Sequence, residues 1–500
     1  MHADADSQPA PLSPRKTKLI IGSIGLLLLL AALDQTIVST ALPTIVSDLG
    51  GLDHLSWVVT AYILASTVVA PLYGKIGDLY GRRNTVFVSV SLFLAGSMLC
   101  GVADSMTFLI LARAVQGLGG GGLFVLALSV IGDVIAPKDR GKFQGVFAAV
   151  FSVSSVIGPL LGGWFVEAFS WHWIFFINIP LGLLAVIGFA MNFEPTGKRV
   201  SRQIDWAGAV SLSLGLAGLT LFTSLGGRTF EWLSPEIIAL AVITVVSTVA
   251  FFWIELRAKE PILPLGLFRL NVFWVTSAIS FIGGAVMFGS LTFLPIYLQI
   301  AKGTTPTISG LMLIPMTVGI VIASTCSGLY MARKDLYRIL PIIGTSSLIL
   351  GMVMFFGLKA DTSTLYFSFS LGFVGAGMGC VFPVITTAVQ NVVPRAQLGT
   401  ATAAGLMFRQ IGGALAVAVY GAIFASRMAG RAGAMMDEGG EAMHISPKIL
   451  AQLPDEARIQ LAETVVFSIQ PIYWIGFVLS VIGLVFALFL KEKETPNSDA

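Results

Sequence analysis

Charge is scarce in this sequence. Lysine, arginine, aspartate and glutamate make up 11% of its 500 residues, where soluble domains carry about 25%. A soluble multidomain enzyme is therefore a poor fit. The net charge of +3 is too small to argue for nucleic acid. Histidine is almost missing. His2, His54, His172 and His444 fall in tails or outer loops, so a haem or quinone redox centre would lack ligands inside the apolar blocks. No lysine lies inside such a block, which excludes a retinal Schiff base. No polar linker is long enough for a nucleotide-binding domain. The stretch QGLGGGG (116–122) is followed by no lysine, so it is packing glycine and not a phosphate cradle. Cys100, Cys326 and Cys380 all lie in apolar blocks and form neither a disulfide framework nor a zinc cluster. No cofactor and no metal are expected. The opening stretch MHADADSQPAPLSPRKTK is polar and Pro-rich, a short tail, and it is not read as a cleavable signal.

What the chain has in excess is apolar length. It is 55% hydrophobic, and the excess falls in blocks of about 20 residues, enough to cross ~30 Å of hydrocarbon as helix. In lipid such blocks must be helices, because only a helix satisfies its own backbone. Fourteen spans are predicted, from 19–42 and 56–73 at the start to 400–425 and 466–490 at the end. With both termini cytoplasmic, 21 of the 30 Lys and Arg fall on the inner side and 7 on the outer, with Arg113 and Arg409 inside spans. That asymmetry supports an even count. Tryptophans such as Trp57, Trp164, Trp171 and Trp474 sit near span ends, where amphipathic rings favour the interface. One long external loop is predicted at 427–465, small-residue-rich at first and then more helical in pattern.

The chain also repeats itself. GLGGGGLFVLALSVIGDV from Gly117 and GAGMGCVFPVITTAVQNV from Gly375 align at an offset of 258. The offset superposes Gly117, Gly119, Gly121 and Phe124 on Gly375, Gly377, Gly379 and Phe382, and Asp133 on Asn391. Span 4 thus matches span 12. Six spans, two extra ones and six more in the same orientation follow, and parallel halves are one way to build two rocking bundles around a midplane site.

Ionisable residues inside spans are functional candidates by default. Asp34 interrupts the run LLLLLAALDQTIVSTALPTI (26–45) about 13 Å below Pro43, and Arg113 lies about 9 Å below the outer end of span 4. The two share a depth. Burial favours a neutral acid and a neighbouring arginine a charged one, so a carboxylate held between them suits proton loading and release. A structural ion pair and a polar gap are the open alternatives. Arg409, in LMFRQIGGALA of span 13, has no mid-span carboxylate in its half. Its role is left open among pairing with backbone carbonyls, sensing the other half and contact with an anionic substrate. The remaining lining is apolar and adaptable, with Phe293, Tyr297 and Phe382 as candidate substrate contacts.

Between spans 2 and 3 stands GKIGDLYGRR (74–83), in which Gly74, Gly77 and Gly81 allow a tight turn and Asp78 can sit at a helix N-terminus. The loop resembles the signature cytoplasmic loop of the major facilitator superfamily. RAVQG (113–117) and GPLLGGW (158–164) resemble its span-4 motif and its antiporter motif. LDQTIVSTALP (33–43) and WHWIFFINIPLG (171–182) are similar to the fourteen-span drug:proton antiporter family, and the likeness covers about 19–490. It departs from that family at Ser39, where Asn is usual, at His172, where Arg is usual, and in the degenerate second-half loop ARKDLYR (332–338).

The resemblance implies a major facilitator fold: an all-α polytopic membrane protein with two parallel six-helix bundles plus two extra central helices, 14 spans in all. The expected division is a cytoplasmic tail 1–18, a first bundle 19–192, a linker with two helices 193–271, a second bundle 272–490 and a tail 491–500. Asp78, Arg82 and Arg83 would form an inner latch. Gly158, Pro159, Gly162 and Gly163 would form a flexible segment of span 5, and close helix packing by small residues is the other reading of that stretch. The implied activity is proton-coupled export of lipophilic, cationic drugs by alternating access, with Asp34 as the coupling acid, across a bacterial cytoplasmic membrane. An exporter dedicated to one metabolite or antibiotic, or a membrane sensor on the same scaffold, is the alternative. The expected partners are the bilayer, a small-molecule substrate and protons, for a monomeric chain that binds no nucleic acid. A periplasmic adaptor enters only if the host has an outer membrane.

Overall fold

The computed structural model describes residues 14–50, 55–193, 205–227, 229–304, 306–334, 336–432 and 455–492. Those residues form helices and connecting turns with no β-strand, and one isolated bridge pairs Gly226 with Phe230. Thirteen helical stretches among them are long and apolar enough to cross a membrane. The remaining expected span, 143–166, lies on a further helix, Pro137–Ala168.

The first bundle contains α1 (Pro14–Leu49), α2 (Leu55–Tyr80), α3 (Arg82–Gly101), α4 (Met106–Val134), α5 (Pro137–Ala168), α6 (Trp173–Phe176) and α7 (Asn178–Asn192). Two helices follow, α8 (Trp206–Leu225) and α9 (Pro235–Glu255). The second bundle contains α10 (Asn271–Ile296), α11 (Pro306–Leu311), α12 (Ile314–Lys334), α13 (Ile339–Phe356), α14 (Thr364–Val392), α15 (Leu398–Ala432) and α16 (Asp455–Leu488).

Local chemistry sets several of these ends. Asp205 accepts from the Gly208 amide to start α8, and Ser234 and Ser363 do the same for Ile237 and Tyr366 in α9 and α14. Such caps satisfy amides that the helix itself leaves unpaired. Two expected single spans are broken. The sixth is divided between α6 and α7 at Ile177, three residues before Pro180, and the tenth between α11 and α12 just before Pro315. Proline lacks an amide hydrogen and clashes with the carbonyl four residues earlier, so the preceding turn opens.

Each half has its own apolar interior. Ile24, Leu27, Phe93, Leu123 and Phe189 are at its centre in the first half, and Val286, Met352, Phe355, Phe367 and Leu371 in the second. The halves meet where α5 packs on α12 and α2 packs on α15, with smaller contacts of α14 on α5 and α15 on α4. The two central helices lie beside that seam. The α8 helix packs on α2 and α15, and Leu212 and Leu216 share a core with Ala401 and Ala404. The α9 helix turns Val242, Val245, Val246 and Val249 outward, as a lipid-facing surface does.

The chain is helical further than the sequence pattern predicts. The helix α1 already starts at Pro14, inside the expected tail. Both ends of the expected external loop 427–465 are helix, since α15 runs to Ala432 and α16 begins at Asp455. Hydropathy marks where lipid begins, and these helices continue beyond it. The rest of that loop, 433–454, lies outside the described residues.

Candidate functional site

Asp34 lies on α1 with no exposed surface, and Arg113 on α4 is 1% exposed. The geometry is a closed polar knot inside the first bundle. One carboxylate oxygen, Oδ2, accepts from Arg113 Nη1 at 2.7 Å. The other, Oδ1, accepts from Gln116 Nε2 at 2.7 Å and from Asn178 Nδ2 at 3.1 Å. Ser97 Oγ accepts from the same two amides at 2.7 and 3.0 Å. Arg113 also donates to Gln116 Oε1 at 2.6 Å and to the Val58 carbonyl at 3.2 Å, and its guanidinium lies 4.3 Å from the Tyr62 ring centroid. Five helices, α1, α2, α3, α4 and α7, therefore contribute to one ion pair.

The same helical surface explains the assembly. Arg113 and Gln116 are three residues apart on α4 and share a face. The break before α7 delivers Asn178 to the carboxylate. In a low-dielectric interior, removing one partner of such a pair strands the other and costs about 3–5 kcal/mol.

A second constellation lies at the end of the bundle that carries most of the basic residues. Gly81 turns the chain between α2 and α3 at φ 89°, a conformation that suits glycine. Asp78 then reaches across to the second half. It accepts from the Gly399 amide at 3.0 Å, the Thr400 amide at 2.8 Å and Thr400 Oγ1 at 3.0 Å. Those amides belong to the first turn of α15, where a carboxylate meets the positive end of the helix dipole. Arg82 Nη2 donates to Asp78 at 2.6 Å and Arg82 Nε to Asp133 at 2.5 Å. Close approach is required here: a Cβ on Gly74 would lie 2.7 Å from the Gly399 carbonyl oxygen. Gly77 sits beside Arg82 Nη1.

Arg83 does not join. It donates to the Ala190 carbonyl at 2.9 Å, tying α3 to α7 within the first half. Arg140 takes a place across the seam instead. It donates to the Gln390 carbonyl at 2.6 Å and to Asn391 Oδ1 at 2.9 Å, while Gln390 donates to the Leu128 carbonyl at 3.0 Å. Asp133 and Asn391, equivalent in the repeat, thus each hold an arginine. Lys75 pairs with Glu260 at 3.4 Å, between α2 and the segment after α9.

The span-5 glycines pack on α1. A Cβ on Gly158 would come 2.0 Å from Thr36 Oγ1 and one on Gly162 2.1 Å from Thr40 Oγ1, whereas Gly163 has nothing within 4 Å. Pro159 lies inside the α5 helix. The three aromatic candidates separate. Phe382 borders a cleft with Arg409. Phe293 is 3% exposed in a core with Ala416 and Tyr420, and Tyr297 is 1% exposed and donates to the Lys359 carbonyl at 2.7 Å. Neither borders that cleft.

His172 stacks on Trp171 at 3.7 Å, and Trp171 Nε1 donates to Asp48 at 2.8 Å. The Ser39 side chain lies outside the described residues.

Gln116, Asn178 and Ser97 are the site residues that sequence reasoning missed. The first two stand inside RAVQG and WHWIFFINIPLG, and Gln116 was findable from its spacing to Arg113. Ser97 carries no signal in a span with other serines.

Comparison with known proteins agrees with this architecture. Residues 24–417 match the Major Facilitator Superfamily. The chain is 35% identical to the multidrug transporter protein MdtP of Bacillus subtilis (strain 168), covering 97% of this chain and 95% of that protein. It is 33% identical to multidrug resistance protein 3 of the same strain, covering 96% of each. Among solved structures, the proton:xylose symporter XylE superposes with a TM-score of 0.62 at 15% identity, over 95% of each chain, a likeness of fold. The chain, a multi-pass membrane protein, belongs to the major facilitator superfamily.

Proposed function

We propose that this protein is a proton-driven exporter of lipophilic compounds, of the fourteen-span drug:proton antiporter kind, working by alternating access. The observation that carries the reading is the Asp34 knot, a fully enclosed carboxylate balanced against one guanidinium and two amides. The two B. subtilis relatives described as multidrug proteins support the class of cargo. The predominance of Lys and Arg on one side supports a cytoplasmic location for both termini and for the end closed by Asp78.

In the proposed cycle the closed basic end corresponds to an outward-facing state. Protonation of Asp34 removes the negative partner of Arg113, and α1 and α4 repack. Thr36, two residues beyond Asp34, donates to the Ser154 carbonyl on α5 at 3.1 Å, and α5 packs on α12 of the other half. A contiguous route therefore joins the acid to the seam between the halves. Release of Asp78 from α15 would then open the cytoplasmic end.

Cationic cargo would call for an available carboxylate facing it. Asp34 is enclosed and fully engaged by its own neighbours, which supports a proton site more than a drug counter-ion.

The test is reconstitution in vesicles with an imposed pH gradient and ethidium as a lipophilic dye. Uphill dye movement that dissipates the gradient is expected. Dye movement indifferent to the gradient would refute proton coupling, and no movement of any lipophilic dye would refute the exporter.

A further inference from the structure

Arg409 is the intramembrane charge that the proposed cycle does not use. It lies about 16 Å along α15 from Leu398. Its backbone is fixed against α10, since a Cβ on Gly284 would come 2.0 Å from the Arg409 carbonyl oxygen. Yet the guanidinium has neither a carboxylate nor a hydrogen-bond partner among the described residues, and its Nε is buried and unpaired. One face covers the Phe382 ring at 5.0 Å. The residue as a whole is half-buried, and an unpartnered charge within a membrane-spanning helix is costly and is retained where it acts.

The guanidinium borders a cleft of about 20 Å³ between α10, α14 and α15. The hydroxyls that line it are of two kinds. Thr276, Thr386 and Thr402 are committed to the carbonyls of Val272, Phe382 and Leu398 on their own helices. Ser277 and Ser280 are not: both are buried, at 6% and 4% exposure, and neither makes a hydrogen bond among the described residues. They lie three residues apart on one face of α10. One fixed positive charge and two uncommitted hydroxyl donors thus border a small space whose other walls, Phe273 and Ile385 among them, are apolar.

The geometry points to a subsite for the carboxylate of a lipophilic acid, with Arg409 as counter-ion and Ser277 and Ser280 as additional donors. A cationic group would meet an uncompensated positive charge. A neutral group would leave that charge unpaired. The cleft is too small for a whole molecule, so only the head group of the ligand enters it. The physiological meaning, an acidic class of exported compound, rests on the exporter reading. The binding site itself does not.

The test uses the full-length protein in neutral maltoside micelles. It is titrated by fluorescence with a dansylated undecanoic acid and with the methyl ester of the same probe, at a pH where the acid is ionised. The acid is expected to bind about tenfold more tightly or better, the worth of one charge-assisted hydrogen bond. Arg409→Gln should erase the difference and Arg409→Lys should keep part of it. The Ser277→Ala, Ser280→Ala pair should reduce it with the arginine intact, which supplies a second reading if Arg409→Gln does not fold. Equal binding of acid and ester by wild type, or an acid preference that survives in Arg409→Gln, overturns the proposal. A wild type that prefers the acid but moves no dye in vesicles keeps the subsite and sinks the exporter. One that pumps dye without an acid preference does the reverse.

Discussion

Asp78→Asn should loosen the basic end of the molecule without unfolding either half. Three hydrogen bonds from α15 end on this carboxylate, from the Gly399 amide, the Thr400 amide and Thr400 Oγ1. Hydrogen bonds to a charged group are worth about 1.5–3 kcal/mol each in net terms, which sets a ceiling of about 4.5–9 kcal/mol for the three together. Asparagine keeps one acceptor oxygen, loses the charge that suits the start of α15 and turns an amide toward Arg82. A loss of about 2–4 kcal/mol follows, or a shift of about 30- to 1,000-fold in the ratio of closed to open basic ends. Spin labels at Tyr80 on α2 and Arg333 on α12, both exposed, would report that opening in a background lacking Cys100, Cys326 and Cys380. The distance distribution should move to longer values in Asp78→Asn and stay fixed in Arg83→Ala, because Arg83 bonds only within its own half. Identical distributions for wild type and Asp78→Asn would refute the idea that this carboxylate holds the halves together.

Gly158→Val should destabilise the protein by about 1–3 kcal/mol, the usual cost of overpacking, because its Cβ would collide with Thr36 on α1; thermal unfolding of the purified protein reads this. Gly163→Ala, inside the helix with nothing nearby, should not lower the unfolding temperature and should raise it slightly, because alanine favours a helix interior over glycine. Asn178→Leu should weaken proton-coupled transport more than it lowers stability, since it removes a donor from Asp34 while filling a similar volume; vesicle flux and thermal unfolding separate the two. Gly81→Ala should cost about 1 kcal/mol or more, because alanine resists the positive φ of that turn, and denaturation of the purified variant checks it.

The fold was largely legible because lipid leaves so few options. Apolar blocks must be helices, so span order and the repeat at offset 258 already imply two alike halves around α8 and α9. The breaks at Ile177 and before Pro315 were less visible, since a proline in an apolar run can kink a helix or divide it, and hydropathy does not distinguish these. The helical extensions of α1 and α15 were invisible for the opposite reason, since polar and small residues at a helix end look like loop, while the start of α16 lies where the loop already reads as more helical in pattern.

For the candidate site, charge in the wrong solvent was the signal. Asp34 and Arg113 were findable on that ground, and the structure brings them within 2.7 Å, whereas Asp78 and Arg82 were findable only from the resemblance of the loop that carries them. Neutral partners such as Ser97 gave no such signal, because a serine costs little in a helix whose carbonyls it can bond. Phe293 and Tyr297 illustrate the converse. An aromatic residue in a span reads equally well as cavity wall or as core, and both pack as core in this conformation. Arg83 stands beside Arg82 in sequence, yet adjacent residues on a helix point about 100° apart, and only one of them reaches Asp78.

The central claim is that Asp34 carries the transported proton. The most direct measurement follows protons released into weakly buffered micelle solution when ethidium is added to the purified protein. Wild type should release a proton as dye binds, and Asp34→Asn should bind dye while releasing none. Release from Asp34→Asn equal to that of wild type would contradict the account and leave the knot a structural ion pair.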